Sequence, residues 1–274
     1  MHTQNINTTF FTDQLNRKVV LPHAPKRIIS LVPSQTELLF DLGLDGEVVG
    51  ITKFCIHPET WFKTKTRIGG TKNLNFEKIK SLQPDLIIGN KEENEEQQVK
   101  QLMNEYPVWM SDIKTFEDAL NMIESIGDLV NRKSKAIEIK NQIENNFSQL
   151  KLKAKSQKPK AIYCIWYNPI MVAASGTFID SMLYHCGFEN TFANLQRYPS
   201  INYDDLKNAN PDVILLSSEP FPFKQKHIDE LQLICPGAKI MLVDGEYFSW
   251  YGSRLINAPA YFEKVRNELT QIKI

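Results

Sequence analysis

The sequence predicts an α/β protein of two Rossmann-like lobes with parallel sheets, joined by one long α-helix, and three observations carry this. A segment repeats: Phe76-Glu77-Lys78-Ile79 through Pro84-Asp85-Leu86-Ile87-Ile88 reappears 127 residues later as Tyr203-Asp204-Asp205-Leu206 through Pro211-Asp212-Val213-Ile214-Leu215. Aromatic, acid, helical pattern, Pro-Asp and β-branched run match in register, the signature of a duplicated unit. Between the copies, Ala136, Ile139, Ile143, Phe147, Leu150 and Ala154 recur at helical steps with Lys and Glu on the opposite face, which predicts a spine helix over 131–158. At about 1.5 Å per residue it would run roughly 35–40 Å. Finally, continuous apolar strands alternate with helices on both sides of it, the pattern of parallel sheets buried on both faces. The expected parts are a first lobe at 1–130, the spine at 131–158 and a second lobe at 159–274.

In chain order, Phe10 to Asp13 and Lys18 to Leu21 read as a hairpin that caps a sheet edge. Arg27 to Val32 is a strand. Ser34-Gln35-Thr36-Glu37 reads as a capping box that opens a helix ending at Gly43. Val48 to Ile51, Leu86 to Gly89 and Val108 to Met110 are further strands, and Asn75 caps the helix from Phe76. The second lobe repeats the plan with strands at Ala161 to Trp166, Val213 to Leu216 and Ile240 to Val243. Asn202 caps the Tyr203 helix, and a last helix opens near Ser253.

Composition excludes several classes. Lys+Arg 32 balance Asp+Glu 32, so no nucleic-acid footprint or basic membrane patch is expected. No apolar run reaches the roughly 18 residues of a spanning helix. The N-terminal residues lack the basic and apolar regions of a secretory signal, leaving open whether one was removed. Cysteines 55, 164, 186 and 235 form no C-x-x-C pair, which argues against a zinc or dithiol site; a Cys186–Cys235 disulfide stays open. Phosphate-loop, nucleophile-elbow and zincin motifs are absent, so no catalytic residue is assigned.

What the strand ends carry is aromatic. Phe54, Trp166, Tyr167, Phe178, Tyr198, Tyr247, Phe248, Trp250 and Tyr251 fall in segments that follow strands. Each alone suits a core, but Glu246 to Ser253 has neither helical nor alternating period, and its exposure would be costly unless a large, flat, partly apolar ligand covered it. His57 stands beside Pro58, as a metal ligand, in contact with a ligand's edge, or, as is commoner for a lone loop histidine, merely hydrogen-bonded. Glu77 and Asp204 occupy the same register in the first turn of a capped helix. The dipole alone accounts for either acid; both together suit docking onto a two-fold partner carrying arginines.

Arg27 through Glu37, Asn75-Phe76-Glu77 through Leu86, and Ser175-Gly176 ahead of a helix resemble, over nearly the whole chain, a known family. It comprises the substrate-binding proteins of ABC importers whose lobes share a single long helix and which serve cobalamin, haem and ferric siderophores. The cobalamin branch is nearest. The resemblance implies a class III periplasmic-binding-protein fold, no enzymatic activity, no intrinsic cofactor or metal, and a cobalt corrinoid or iron chelate as ligand in the cleft between lobes. The loops that hold it match Phe54 to His57, Thr71 to Asn73, Met171 to Phe178 with Thr177, Tyr198, and Glu246 to Trp250 with Phe248; Trp166 joins them as an aromatic strand end. Thr71 and Tyr198 stand where the cobalamin binders carry tryptophan. Glu77 and Asp204 match the acids offered to the permease dimer, the second being Asp where Glu is usual. The resemblance also implies a monomer working outside the cytoplasmic membrane, periplasmic or membrane-associated. Competing readings are an enzyme with two α/β lobes around a cleft, such as a nucleotide-sugar glycosyltransferase, and a cytoplasmic corrinoid or haem carrier.

Overall fold

The computed structural model describes residues 9–150 and 158–270. They fall into two compact units: residues 9–113, 117–142 and 251–253 belong to the first, and residues 114–116, 143–150, 158–250 and 254–270 to the second. Elements of the first part of the chain are β1 (Thr9–Thr12), β2 (Lys18–Leu21), β3 (Ile28–Ser30), α1 (Pro33–Asp41), β4 (Val48–Ile51), α2 (Glu59–Thr64), β5 (Thr66–Arg67), β6 (Gly69–Gly70), β7 (Asn73–Leu74), α3 (Phe76–Leu82), β8 (Leu86–Asn90), α4 (Glu96–Met103), β9 (Val108–Ser111), α5 (Phe116–Leu129) and α6 (Lys133–Ser148). There follow β10 (Lys160–Trp166), β11 (Ile170–Val172), α7 (Phe178–His185), β12 (Glu189–Asn190), β13 (Ser200–Ile201), α8 (Tyr203–Ala209), β14 (Val213–Ser217), α9 (Gln225–Ile234), β15 (Lys239–Val243) and α10 (Glu246–Ser249). After a 3₁₀ turn at Ser253–Ile256, α11 (Ala258–Thr270) closes the described chain.

The first unit's sheet runs β5-β4-β3-β8-β9, parallel throughout. Both faces of β8 are buried, as its continuous apolar run requires. The β1–β2 hairpin caps the β9 edge: Gln14 N–H donates to Met110 O at 3.1 Å and Asp112 N–H to Gln14 Oε1 at 3.1 Å, occupying groups an open edge would expose.

The second sheet departs from the expected parallel plan. Its order is β13-β11-β10-β14-β15; β10, β14 and β15 are parallel, while β11 pairs antiparallel with both β10 and β13. Only Tyr167, Asn168 and Pro169 separate β10 from β11, far fewer than the dozen or so residues a parallel crossover needs. Ile162, Cys164, Val172, Leu206, Ile214 and Leu216 fill this unit's core.

The duplicated segment folds the same way twice. Asn75 and Asn202 each cap a seven-residue helix, Gln83 and Asn210 end those helices in the left-handed conformation (φ 46° and 42°), and β8 and β14 follow. Asp85 and Asp212 then do one job in both units. Asp85 N–H donates to Arg27 O (3.0 Å) while its carboxylate accepts from Arg27 N–H (2.8 Å), and Asp212 repeats the exchange with Lys160 at 2.9 and 2.8 Å.

Three local expectations are corrected. The helix α1 starts at Pro33 with Val32 as N-cap, because proline's fixed φ suits the first helical position; Ser34 is buried inside the first turn instead of capping it. The last helix begins at Ala258, after the 3₁₀ turn. The spine is shorter than 131–158: α6 ends at Ser148, and its 16 residues span about 24 Å. Ser148 Oγ donates to Asn145 O at 2.7 Å, and the Asn146 amide donates to Ile256 O at 2.8 Å. Side chains that bond locally or across to other backbone in this way weaken helix continuation. The remainder of the predicted spine, 151–157, lies outside the described residues. Within α6, residues to Gln142 belong to the first unit and those from Ile143 to the second.

Candidate functional site

In the first unit the loop after β4 presents Phe54 with 51% of its surface exposed. The ring lies on the backbone of Gly70, where any Cβ would come within 3.1 Å of Phe54 Cε2, so this glycine permits the close approach. Lys53 N–H donates to Gly69 O (2.8 Å), which ties the loop to the β6–β7 hairpin. That hairpin carries Thr71, half-buried, in its turn and Asn73, exposed, at the start of β7. The turn is pinned from outside: Asn94 Nδ2 donates to Thr71 O at 3.1 Å and Gln98 Nε2 to Lys72 O at 2.8 Å. His57 is half-buried at the base of the Phe54 loop. Phe54 and Thr71, 17 positions apart in sequence, thus share one surface.

In the second unit, Trp166 ends β10 and pairs across the strand with Met171, which puts the two side chains on one face. Trp166 is 40% exposed and its indole N–H is satisfied by Asn168 O at 3.1 Å. Behind it rises a pile of rings: Phe221, from the loop after β14, meets Trp166 edge-on at 5.4 Å, Phe223 of the same loop lies 4.8 Å from Phe221, and Tyr167 of the β10–β11 turn packs on His227 of α9 at 4.6 Å. Sequence reading overlooked Phe221. Its signal was the Pro220-Phe221-Pro222-Phe223 run directly after a strand end. Tyr198, half-buried, follows a segment fastened to the neighbourhood of Thr177 by Arg197 N–H to Ser175 O at 2.9 Å.

Four candidates are buried. Thr177 is an N-cap, with its Oγ1 accepting from Asp180 N–H at 3.2 Å, and Phe178 is buried in the first turn of α7. Phe248 is wholly buried against Tyr163 (5.1 Å), Phe262 (4.9 Å) and Tyr261 (6.4 Å). Trp250 is 5% exposed. The Glu246–Ser253 segment is therefore not an apolar loop awaiting a cover: it contains the short helix α10, and its rings are covered by their own unit. Tyr247 stacks on Tyr261 at 4.5 Å, and Trp250 is capped by the Arg254 guanidinium at 4.6 Å.

Charge collects beneath these rings. Glu219 Oε1 accepts from Trp250 Nε1 at 2.9 Å and from Ser249 Oγ at 2.8 Å. Burial holds the Glu219 carboxyl above its ordinary range; those two hydrogen bonds oppose the shift, and neighbouring Glu246 and Asp244 add to it. Glu246 itself pairs with Arg254 at 2.8 Å.

Glu77 and Asp204 both stand exposed as the second residue of α3 and α8. Each helix has an asparagine accepting a backbone N–H at 2.9 Å, so the acids are not needed as caps. Cys186 and Cys235 are both free and buried, and no disulfide joins them in this structure. Among the described residues no group of three His, Cys, Asp or Glu side chains is arranged to hold a metal, and no helix is long and apolar enough to cross a membrane.

Two α/β units that keep apolar rings exposed just beyond their strand ends define a ligand-binding protein of the class III periplasmic-binding-protein fold. Residues 28–233 match the model of the periplasmic binding protein family, and the chain belongs to that family. Its relatives include the ABC transporter substrate-binding lipoprotein YvrC of Bacillus subtilis, 28% identical over 74% of this chain and 67% of that one. The vitamin B12-binding protein of Vibrio parahaemolyticus is 26% identical over 70% of each. Among solved structures, the periplasmic vitamin B12 binding protein BtuF of Vibrio cholerae superposes with a TM-score of 0.75 at 20% identity, covering 90% of this chain and 99% of that one.

Proposed function

We propose that this protein is the substrate-binding component of an ABC importer and that it captures a metal chelate, a corrinoid such as cobalamin before haem or a ferric siderophore, without transforming it. The observation that carries the reading is the exposure of Phe54 (51%), just past the carboxyl end of β4, and of Trp166 (40%), at the carboxyl end of β10. Ligands of open α/β sheets bind at the carboxyl ends of the strands, and large apolar rings left in water there are costly unless something covers them. Phe54, His57, Thr71 and Asn73 in one unit and Trp166, Met171, Tyr198 and Glu246 in the other are the contact residues of this reading. The vitamin B12-binding relatives support a corrinoid in particular. Glu77 and Asp204 dock the loaded protein onto a permease dimer, and the protein acts as a monomer outside the cytoplasmic membrane.

The test is thermal stabilisation by a panel of cyanocobalamin, hemin and ferrichrome. A ligand at about a hundred times its dissociation constant stabilises the folded state by roughly 2.7 kcal/mol, so the right member raises the melting temperature by several degrees. A panel with no effect at saturating concentration would refute the reading.

A further inference from the structure

The ring pile of the second unit is larger than its core requires. Phe223 and His227, 7% and 3% exposed, are its buried members. Phe221 and Trp166 add two more rings outward from them, Phe221 half-buried and Trp166 in water over 40% of its surface. Phe221 packs against this core and against Tyr167, Phe223 and His227, whereas Trp166 keeps much of its ring in water, and a large ring left exposed there is explained by a ligand that covers it.

Three features point the same way. β10 and β14 are adjacent parallel strands in the middle of the sheet; Trp166 is the carboxyl-terminal residue of β10 and Phe221 follows the end of β14, the place where such sheets receive small molecules. The pile is preorganised: Pro220 and Pro222 fix φ on either side of Phe221, and Trp166's only polar group is already bonded to Asn168 O. What remains for a ligand is ring surface alone, which suits an apolar, flat partner better than a charged one.

We propose that Phe221 is a ligand-contacting residue and forms with Trp166 and its cross-strand partner Met171 an apolar wall against which a flat conjugated macrocycle packs. The proposal rests on the reading of the chain as a metal-chelate receptor. Phe221 sets the preference for ring-shaped ligands over open-chain chelates, because edge-to-face and stacked contacts are made with a π-face and not with a flexible hydroxamate arm.

The experiment titrates the full chain and its Phe221→Ala, Phe221→Leu and Phe221→Tyr variants with cyanocobalamin, hemin and ferrichrome, following intrinsic tryptophan fluorescence, with a melting curve for each. Phe221→Leu keeps apolar volume against Phe223 and guards against a variant that merely unfolds. The expected result is that Ala and Leu weaken binding of the macrocycle about tenfold, that Tyr restores it, and that any ferrichrome binding is unchanged. Wild-type affinity for the macrocycle in the folded Ala and Leu variants overturns the wall while leaving the receptor reading intact. Unchanged affinity with impaired uptake in vesicles carrying the importer overturns it too, making the rings a permease contact. If the wild-type chain binds none of the three probes, both readings fall together.

Discussion

Trp250 donates its indole N–H to Glu219 Oε1 across 2.9 Å, joining the loop after β15 to the loop after β14. The same oxygen accepts from Ser249 Oγ, so one carboxylate fixes two consecutive residues. Glu219→Ala leaves a buried indole donor without its partner, and the expected cost is about 1–3 kcal/mol. Glu219→Gln keeps an acceptor in place and costs less than Ala. Denaturant unfolding followed by near-ultraviolet circular dichroism checks both; equal stability in the two variants would contradict the assigned role of the carboxylate.

The same residue gives a pH dependence of defined sign. Its carboxyl is held above the ordinary value of 4.5 by burial, so the folded chain binds this proton more readily than the unfolded chain. Between the ordinary value and the raised folded value, the Glu219 contribution to stability therefore grows as pH falls and is lost as pH rises through the folded value. The difference in unfolding free energy between wild type and Glu219→Gln, measured from pH 4 upward, should slope in that direction. A flat difference, or one of opposite slope, would remove Glu219 as the titrating group.

Glu77 and Asp204 are expected to serve the transporter and not the ligand. Both are exposed on helices already capped by asparagine. The double change to alanine should leave ligand affinity unaltered and lower uptake in vesicles containing the cognate importer, with single changes costing less. If the acids only complement their helix dipoles, each change lowers stability by about 0.3–1 kcal/mol and uptake is normal. Normal uptake by the double variant would sink the docking role.

Much of the fold was legible because its signals are local. Asn75 and Asn202, each followed by a short helix, a Pro-Asp pair and an apolar run, foretold two like helix-to-strand units, since capping and turn chemistry act within a few residues. The antiparallel β11 was missed because loop length outweighed the alternating α/β pattern at Asn168-Pro169. The end of α6 at Ser148 was missed because its apolar period continues beyond the point where side-chain bonds interrupt the helix. Of the candidate site, Phe54 and Trp166 were visible as aromatics after strands. Trp250 and Phe248 carried the same sequence signal but are buried, because their covers, Glu219 and Arg254 for one and Tyr163 and Phe262 for the other, are tertiary partners that no local pattern reveals. Phe221 was hidden for the converse reason: its prolines read as a loop, and only the packed rings show what the loop presents.

The capture of a macrocyclic chelate by rings exposed beyond the strand ends is tested most directly by calorimetric titration with cyanocobalamin of the wild-type chain beside the Phe54→Ala variant. Phe54 is 51% exposed and lies on Gly70, so its truncation removes contact surface without opening the core. The account predicts one-to-one saturable binding by the wild type, weakened by about 1–3 kcal/mol in the variant at unchanged melting temperature. Equal affinity in the two proteins, or no heat of binding from the wild type at any concentration of the macrocycle, would contradict it.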